Sequence, residues 1–328
     1  MKIYDYIFLF HHYNNTIMKI DIVYTYVDST DIDWLNEKQF YKGESNDYTN
    51  NLARSDTSLN ELLYSIRSVE KYFANQYENI YICTNNGKMP KFLQQNPHIK
   101  IIYYKDLLGS ANFNSNSIES VLHLIPGLSE YYLYFNDDFL LNRKLTLSDF
   151  LTRNNELIWY AESNTFINVA NMLPWATYLL PIDGGVNVAR QKNYERLGIS
   201  GNPPISHSPR IFKKSYVEEF IHLFEPHIRL LRKEKFRSEN SFTFVDNFCF
   251  WAEHKKYLKL LDNKRTIILV QSNPSFFVNL YNQWEMTDRK KAYFLCIEDI
   301  RTEPYIDTFL VKFLNKKFPE KCRYEKKW

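Results

Sequence analysis

The chain has 328 residues, a formal net charge of +3, 45% hydrophobic residues and 24% charged residues. These fractions are average for globular proteins and exclude a wholly disordered chain, while the length predicts one large domain or two ordinary ones. The small net charge gives no sign of nucleic-acid binding, and a content of only 8 glycines excludes collagen-like and glycine-rich architectures.

The N-terminal residues and the cysteines bear on the cellular compartment. No run of about 18 apolar residues is present, so no transmembrane segment is expected. Residues 1–17 lack the small-residue cleavage site of a signal peptide, and we interpret them as an extension ahead of the functional domain. The four cysteines are scattered without a CxxC pair, which predicts free thiols in a reducing, cytoplasmic compartment.

The first half of the chain alternates strands and helices. Runs of β-branched and aromatic residues predict strands at residues 20–27, 79–83, 100–104 and 131–135. A capping-box sequence at 58–61 opens an amphipathic helix that runs to about Phe73, and a second helix is expected at 117–124. This alternation with short loops is typical of an α/β fold with an open, mainly parallel sheet flanked by helices.

The second half is less regular. A helix is expected at 215–225, where Pro226 should end or kink it, followed by a strand at 266–270 and a helix at 305–318. Residues 160–212 are rich in proline and glycine, which favours a lid or substrate-binding segment. We expect one composite domain over residues 18–328, with a nucleotide and metal half at about 18–150 and a loop-rich lid and acceptor half at about 151–328.

Aromatic residues make up 17% of the chain. We interpret most of them as a bulky core. A minority near the expected sugar-facing loops could form a platform on which an acceptor stacks. These are Trp159, Tyr160, Trp175, Tyr178, Tyr281 and Trp284.

Polar residues follow three of the predicted strands. Asp28 follows the first strand, Asn85 the second, and Asn136, Asp137 and Asp138 the fourth. In open α/β sheets, ligands bind beyond the carboxyl ends of the strands. An acidic pair there suits Mg²⁺ or Mn²⁺, which take a few carboxylate oxygens and leave positions for phosphates. Asn-Asp-Asp is also common turn chemistry, so the residues alone leave both interpretations open.

Three further side chains are candidate site residues, and each also has a simple structural interpretation. Glu119 lies early in a helix, where the helix dipole favours acids. His207 lies in a loop before the basic residues 210, 213 and 214, and a single histidine is more often structural than catalytic. Arg237 follows other basic residues and suits either a solvated helix end or a diphosphate clamp. Walker, GxGxxG, HExxH and GxSxG motifs are absent from the sequence, which removes several large enzyme classes.

Taken together, these segments resemble the Stealth family of sugar-1-phosphate transferases, which includes bacterial capsular polysaccharide phosphotransferases. The family has conserved sequence blocks, and residues 21–31 (DIVYTYVDSTD) are similar to the first of them. Four segments of the chain are similar to parts of the family's second conserved block. They are 61–70 (ELLYSIRSVE), 80–85 (IYICTN), 113–120 (FNSNSIES) and 134–139 (YFNDDF). The third corresponds to 207–210 (HSPR) and the fourth to 294–299 (FLCIED) with 318–320 (FPE).

The resemblance implies a nucleotide-sugar transferase fold and a set of functional residues. Glu119, Asp138, His207 and Arg237 would form the catalytic set, and Asp28 with the neighbouring Asn85 would help hold the nucleotide. Asp137 and Asp138 would hold Mg²⁺ or Mn²⁺.

The implied reaction moves a sugar-1-phosphate from a UDP-sugar, with UDP-GlcNAc as the expected donor, to a hydroxyl of a glycan acceptor and releases UMP. His207 could accept the acceptor's proton, or Glu119 could do so with His207 as its electrostatic partner. A metal-dependent glycosyltransferase that releases UDP is the main alternative. A non-catalytic glycan-binding protein is a second one.

Overall fold

A computed structural model describes most of the chain. The described residues are 20–28, 30–43, 60–161, 205–238, 241–261, 266–270, 292–298 and 304–326. The expected extension at residues 1–17 lies outside them. So do residues 162–204 of the expected lid and the aromatic residues at 175, 178, 281 and 284.

Strands and helices are numbered here in chain order over the described residues. The strands are β1 (Ile20–Tyr26), β2 (Tyr77–Thr84), β3 (Ile99–Tyr103), β4 (Tyr131–Asn136), β5 (Phe139–Leu141), β6 (Leu157–Tyr160), β7 (Arg210–Lys213), β8 (Leu258–Leu261), β9 (Thr266–Val270) and β10 (Phe294–Glu298). The helices are α1 (Ile32–Lys42), α2 (Glu61–Tyr72), α3 (Tyr104–Leu108), α4 (Ser115–Glu119), α5 (Lys214–Leu223), α6 (Glu225–Lys233), α7 (Phe244–His254) and α8 (Pro304–Lys317).

The central sheet has five strands in the order β3-β2-β1-β4-β7. Strands β1 to β4 are parallel, and β7 pairs antiparallel with β4. This confirms the α/β fold with a mainly parallel sheet that the sequence predicts. Because β2 and β4 lie on opposite sides of β1, the carboxyl ends of these three strands meet at the place where open sheets of this kind bind ligands.

Helix α2 shows how the sequence pattern becomes packing. Its buried residues include Leu62, Ile66 and Val69, which recur at spacings of three and four and face the core. The expected capping box is wrong for Glu61, which is the first helical residue rather than the third, and Asn60 occupies the cap position without a side-chain hydrogen bond. Ser58 lies outside the described residues.

The break at Pro226 follows the prediction. Helix α5 ends at Leu223, and α6 begins at Glu225 with Pro226 in its first turn, where the missing N–H is tolerated. The helix expected at 117–124 divides into α4 and a short 3₁₀ turn at Leu122–Leu124.

A second, three-stranded sheet has the order β5-β10-β9. Strand β5 follows β4 after only two residues, and β10 pairs antiparallel with it, so that Cys296 lies opposite Phe139. This pairing brings a segment from near the C-terminus beside Asp137 and Asp138. The third sheet consists of the parallel strands β6 and β8.

Aromatic side chains are the largest fully buried groups of the core. Trp159 is fully buried and Tyr160 nearly so. The indole N–H of Trp159 donates to the carbonyl of Ile211 at 2.6 Å. The expectation that Trp159 and Tyr160 belong to a sugar-facing platform is therefore wrong, because both rings lie in the interior. All four cysteines are free and buried, as the sequence predicts.

The C-terminal segment is joined to α2 by a buried ion pair. Arg67 donates from Nε and Nη2 to the two carboxylate oxygens of Glu325, each at 2.7 Å, and from Nη1 to the carbonyl of Phe318 at 2.9 Å. The Arg67 side chain is 11% exposed and that of Glu325 is 5% exposed. We call this contact the Arg67–Glu325 clamp. None of the helices over the described ranges has the length and apolar character needed to cross a membrane.

Candidate active site

The loop after β1 is held by the residue that follows β2. The side-chain oxygen of Asn85 accepts from the backbone N–H of Asp28 at 2.8 Å, and its amide nitrogen donates to the Asp28 carbonyl at 3.1 Å. Asn85 is 2% exposed. Both ends of its amide are thus used to orient the Asp28 loop, so any contribution of Asn85 to nucleotide binding passes through the position of Asp28.

Three acidic residues act electrostatically on Tyr26, two of them from the loops after β1 and β4. Burial raises the pKa of Tyr26, and the negative charges of Asp28, Asp137 and Glu61 raise it further. Such an effect requires these carboxylates to lie near the phenol. The loops after β1 and β4 therefore form one acidic region at the carboxyl edge of the sheet.

The acidic region can be tested as a site for Mg²⁺ or Mn²⁺. Over the described residues, no group of three His, Cys, Asp or Glu side chains is close enough to hold a metal ion by itself. Mg²⁺ is commonly bound through one or two carboxylates, with water and substrate phosphates as the other ligands. Asp137 and Asp138 fit that second kind of site, in which a phosphate-bearing substrate completes the coordination.

Glu119 is positioned by the short helix α4. The Asn114 side chain accepts from the backbone N–H of Asn116 at 3.1 Å and so caps this helix. The hydroxyl of Ser117 donates to the carbonyl of Leu231 at 2.7 Å, which fixes α4 against α6. Glu119 closes the helix and faces the carboxyl edge of β4.

The carboxylate of Glu119 is part of a hydrogen-bonded group. The Tyr134 hydroxyl lies 3.0 Å from Glu119 Oε1, 2.6 Å from Asn136 Oδ1 and 3.1 Å from the Thr25 hydroxyl. Burial raises the pKa of Glu119 to about 7, although the charges of Arg210 and Arg237 and the Tyr134 hydroxyl favour the ionised form. The charge of Asp246 acts in the same direction as burial. A carboxyl group with a pKa near 7 can both accept and release a proton at neutral pH.

Asp138 and His207 are brought together by β10. The Cys296 thiol lies 3.6 Å from Asp138 Oδ2 and 3.9 Å from His207 Nδ1. The imidazole also lies beside the Phe139 ring, with centroids 6.3 Å apart. The backbone N–H of Ile297 donates to the Asp138 carbonyl at 3.0 Å and fixes the turn between β4 and β5. Two of the predicted residues, 69 positions apart in the chain, thus share one small cluster.

Arg237 lies at the rim of the site. It follows the end of α6 and is exposed. Its charge nevertheless lowers the pKa of Glu119 against the effect of burial. The structure thus brings Asp138 and His207 together at Cys296, and it places Glu119 beside the Tyr134 hydroxyl.

Arg210 and Asp246 belong to the same region and are not among the predicted site residues. Arg210 is 8% exposed and Asp246 is 6% exposed, and the charge of each acts on Glu119. The sequence places Arg210 at the head of a basic cluster, which suggests a solvated surface. Its position in the segment at 207–210 was the signal that could have marked it as part of the site. Asp246 has no comparable sequence signal.

The chain is similar in sequence to proteins of a known family. Residues 55–158 match the family model described as Stealth protein CR2, conserved region 2. The chain is 31% identical over 260 residues to the capsular polysaccharide phosphotransferase fcs1 of Haemophilus influenzae, covering 74% of this chain and 68% of that protein. It is 28% identical over 287 residues to a capsular polysaccharide phosphotransferase of Neisseria meningitidis serogroup B, covering 84% and 72%.

The galactosyltransferase LgtC, in complex with donor and acceptor sugar analogs, aligns with a TM-score of 0.46 and 10% sequence identity. The alignment covers 90% of this chain and 96% of that chain.

Proposed function

Because this chain belongs to the Stealth family of sugar-phosphate transferases, we propose that it transfers a sugar-1-phosphate from a UDP-sugar to a hydroxyl of a glycan acceptor. The transferred group is a hexose-1-phosphate or an N-acetylhexosamine-1-phosphate, and UDP-GlcNAc is the proposed donor. The relatives named above are capsular polysaccharide phosphotransferases, which supports a capsule-type glycan as the acceptor.

The observation that carries the proposal is Glu119, a carboxyl group with a pKa of about 7 among cationic side chains. In the reaction, an acceptor hydroxyl attacks the phosphorus that bears the sugar. A new P–O bond forms, the P–O bond to UMP breaks, and the sugar keeps its bond to the phosphate oxygen. The proton of the attacking hydroxyl must go to a base, and ionised Glu119 is suited to accept it near neutral pH.

The other residues supply position and charge, which is most of what phosphoryl transfer requires. Arg237 binds non-bridging phosphate oxygens as negative charge spreads over them. His207, which lies beside Cys296 and the Phe139 ring, donates a hydrogen bond to the phosphoryl group or to the departing UMP. Asp28, held by Asn85, contributes to the binding of the nucleotide.

Asp137 and Asp138 are the proposed protein ligands for Mg²⁺ or Mn²⁺. Such an ion, when bound, neutralises diphosphate charge and so favours departure of UMP. The Cys296 thiol and the backbone of Ile297 hold Asp138 in place for that role.

The experiment that tests the proposed function is incubation of the protein with a panel of UDP-sugars, an oligosaccharide acceptor and Mg²⁺, with the nucleotide product identified by chromatography. UMP with a phosphodiester-linked sugar on the acceptor is the expected result. UDP would instead identify a glycosyltransferase. Binding of glycans without turnover of any UDP-sugar would identify a lectin-like protein.

A further inference from the structure

Arg210 is a buried cation whose charge has little local compensation. Its Nη2 donates to the Ser206 carbonyl at 2.9 Å, while its Nε–H is buried and lacks a hydrogen-bond partner. Over the described residues, no carboxylate forms an ion pair with it at 4.0 Å or less. The guanidinium carbon lies 5.6 Å from the centroid of the Phe139 ring, a weaker contact.

Such a side chain is expensive to keep in the interior. A buried charge is stable only when hydrogen bonds and an opposite charge compensate it, and loss of a buried partner commonly costs several kcal/mol. A native protein therefore keeps an undercompensated buried arginine where something else supplies the negative charge. A bound anion is the simplest source.

The position of Arg210 places that anion in the candidate active site. Arg210 lies directly opposite Tyr134 in the antiparallel β4–β7 pair, so both side chains project from the same face of the sheet. The Tyr134 hydroxyl contacts Glu119, and the charge of Arg210 acts on that carboxyl group. The guanidinium of Arg210 and the imidazole of His207 both lie beside the Phe139 ring.

We propose that Arg210 is a phosphate-binding residue of this site, whose guanidinium receives phosphoryl oxygens of the donor diphosphate between Glu119 and His207. The proposal rests on the proposed function for the identity of the donor. In physical terms, the negative charge of a diphosphate compensates the positive charge of the buried Arg210.

Arg210 and the exposed Arg237 then have different tasks. Burial makes a charge-assisted hydrogen bond stronger than the same bond at the surface, and the planar guanidinium holds two phosphate oxygens at fixed angles. Arg210 fixes the phosphate from inside the site. Arg237 reaches the same group from the rim.

The test measures binding of inorganic pyrophosphate to the full chain by isothermal titration calorimetry, with no sugar and no acceptor present. We expect Arg210→Met to weaken pyrophosphate binding by about a hundredfold and Arg210→Lys by about tenfold, because the lysine keeps the charge but loses the planar fork. Arg67→Gln is the matched control. It removes a second buried arginine, one with a carboxylate partner, and should change the pyrophosphate Kd by less than about twofold.

The outcomes separate a ligand-binding arginine from a structural one. If Arg210 is structural, its variants have a lower melting temperature, and the pyrophosphate Kd of the folded protein stays within about twofold of wild type. That result overturns the proposal. Failure of the wild-type protein to bind pyrophosphate overturns it as well. If Arg210→Met does not fold, Arg210→Lys decides the question. Because no turnover is involved, release of UDP in the product assay would refute the proposed function and leave this test intact.

Discussion

Arg67 and Arg210 are both largely buried, yet the molecule treats them in opposite ways. Arg67 faces a carboxylate in a two-pronged contact and also donates to a carbonyl, so its hydrogen-bonding capacity is well used. Arg210 has one carbonyl partner and an unbonded Nε–H. Arg67 joins α2 to the segment that contains Glu325, whereas Arg210 lies among the side chains of the candidate active site.

The difference teaches how to separate structural charge from functional charge. A guanidinium whose partners are complete stabilises the fold and leaves nothing for a ligand. The pKa shifts agree with this distinction: burial alone would raise the pKa of Glu325, but the contacts with Arg67 and the Cys322 backbone lower it. The pKa of Glu119 stays raised, to about 7, in spite of two nearby arginines.

The largest expected effect concerns Asp138 and His207. Asp138→Asn and His207→Ala should each lower sugar-phosphate transfer by more than about a hundredfold at saturating Mg²⁺, since they remove groups proposed to act on the reacting phosphate. Circular dichroism and melting curves should show folded proteins. Activity within about tenfold of wild type in either variant would remove that residue from the proposed machinery.

Glu119→Gln is expected to cause the second-largest loss of activity. Loss of a general base commonly costs about 10²–10⁴-fold in rate, and kcat/KM should fall within that range. In the wild-type enzyme, kcat/KM should rise between about pH 6 and 8, because the ionised carboxylate accepts the proton and the pKa of Glu119 is about 7. The residual activity of the glutamine variant should lack that rise. A variant that keeps the wild-type pH profile would show that another group is the base.

Substitutions in the Arg67–Glu325 clamp should act on stability instead. Glu325→Gln leaves Arg67 without its opposite charge, and we expect a loss of about 3 kcal/mol in the free energy of unfolding, measured by urea denaturation. The activity of the folded variant should stay within about twofold of wild type, since the clamp lies apart from the site.

An exposed ion pair provides the control for that experiment. Arg229 and Glu225 pair on α6 at 3.6 Å with side chains 65% and 57% exposed. Glu225→Gln should change the free energy of unfolding by less than about 0.5 kcal/mol. Equal losses from Glu225→Gln and Glu325→Gln would contradict the view that the clamp is structurally important.

A smaller effect than that of Glu325→Gln is expected for the pH dependence of stability. Because the pKa of Glu119 is raised from 4.5 to about 7 on folding, the folded protein holds this proton over a pH window in which the unfolded chain has lost it. The associated stability is present below about pH 4.5 and is lost as the pH rises through about 7. Glu119→Gln should therefore gain of order 1 kcal/mol relative to wild type between pH 5 and pH 8, measured by urea denaturation. A difference that stays constant over this pH range would show that folding does not raise the pKa of Glu119.

The sequence predicts the first half of the molecule well. Strands β1 to β4 follow from local runs of β-branched and aromatic residues, and their order along the chain predicts a parallel sheet. The acidic residues after β1 and β4 meet because parallel strands end at the same edge. These features depend on residues close together in the chain.

The rest of the site depends on pairings across long stretches of sequence. Strand β7 adds antiparallel to β4, and β10 reaches back to β5, so that Cys296 contacts Asp138 from a position more than 150 residues away. Burial of Arg210 is likewise invisible in a basic stretch of sequence, because it follows from that strand pairing. The resemblance to a family named His207 and Arg237, which composition and spacing alone left as ordinary residues.

The pairing of β10 with β5 also has a consequence for the order in which the protein forms during synthesis. The first four strands and α2 are made before β10, so they can associate before it is available. Cys296, which lies between Asp138 and His207, is made about 150 residues after β5. Glu325 follows later still. A nascent chain that stops before β10 therefore lacks Cys296, and the cluster of Asp138, Cys296 and His207 forms only after β10 has been made.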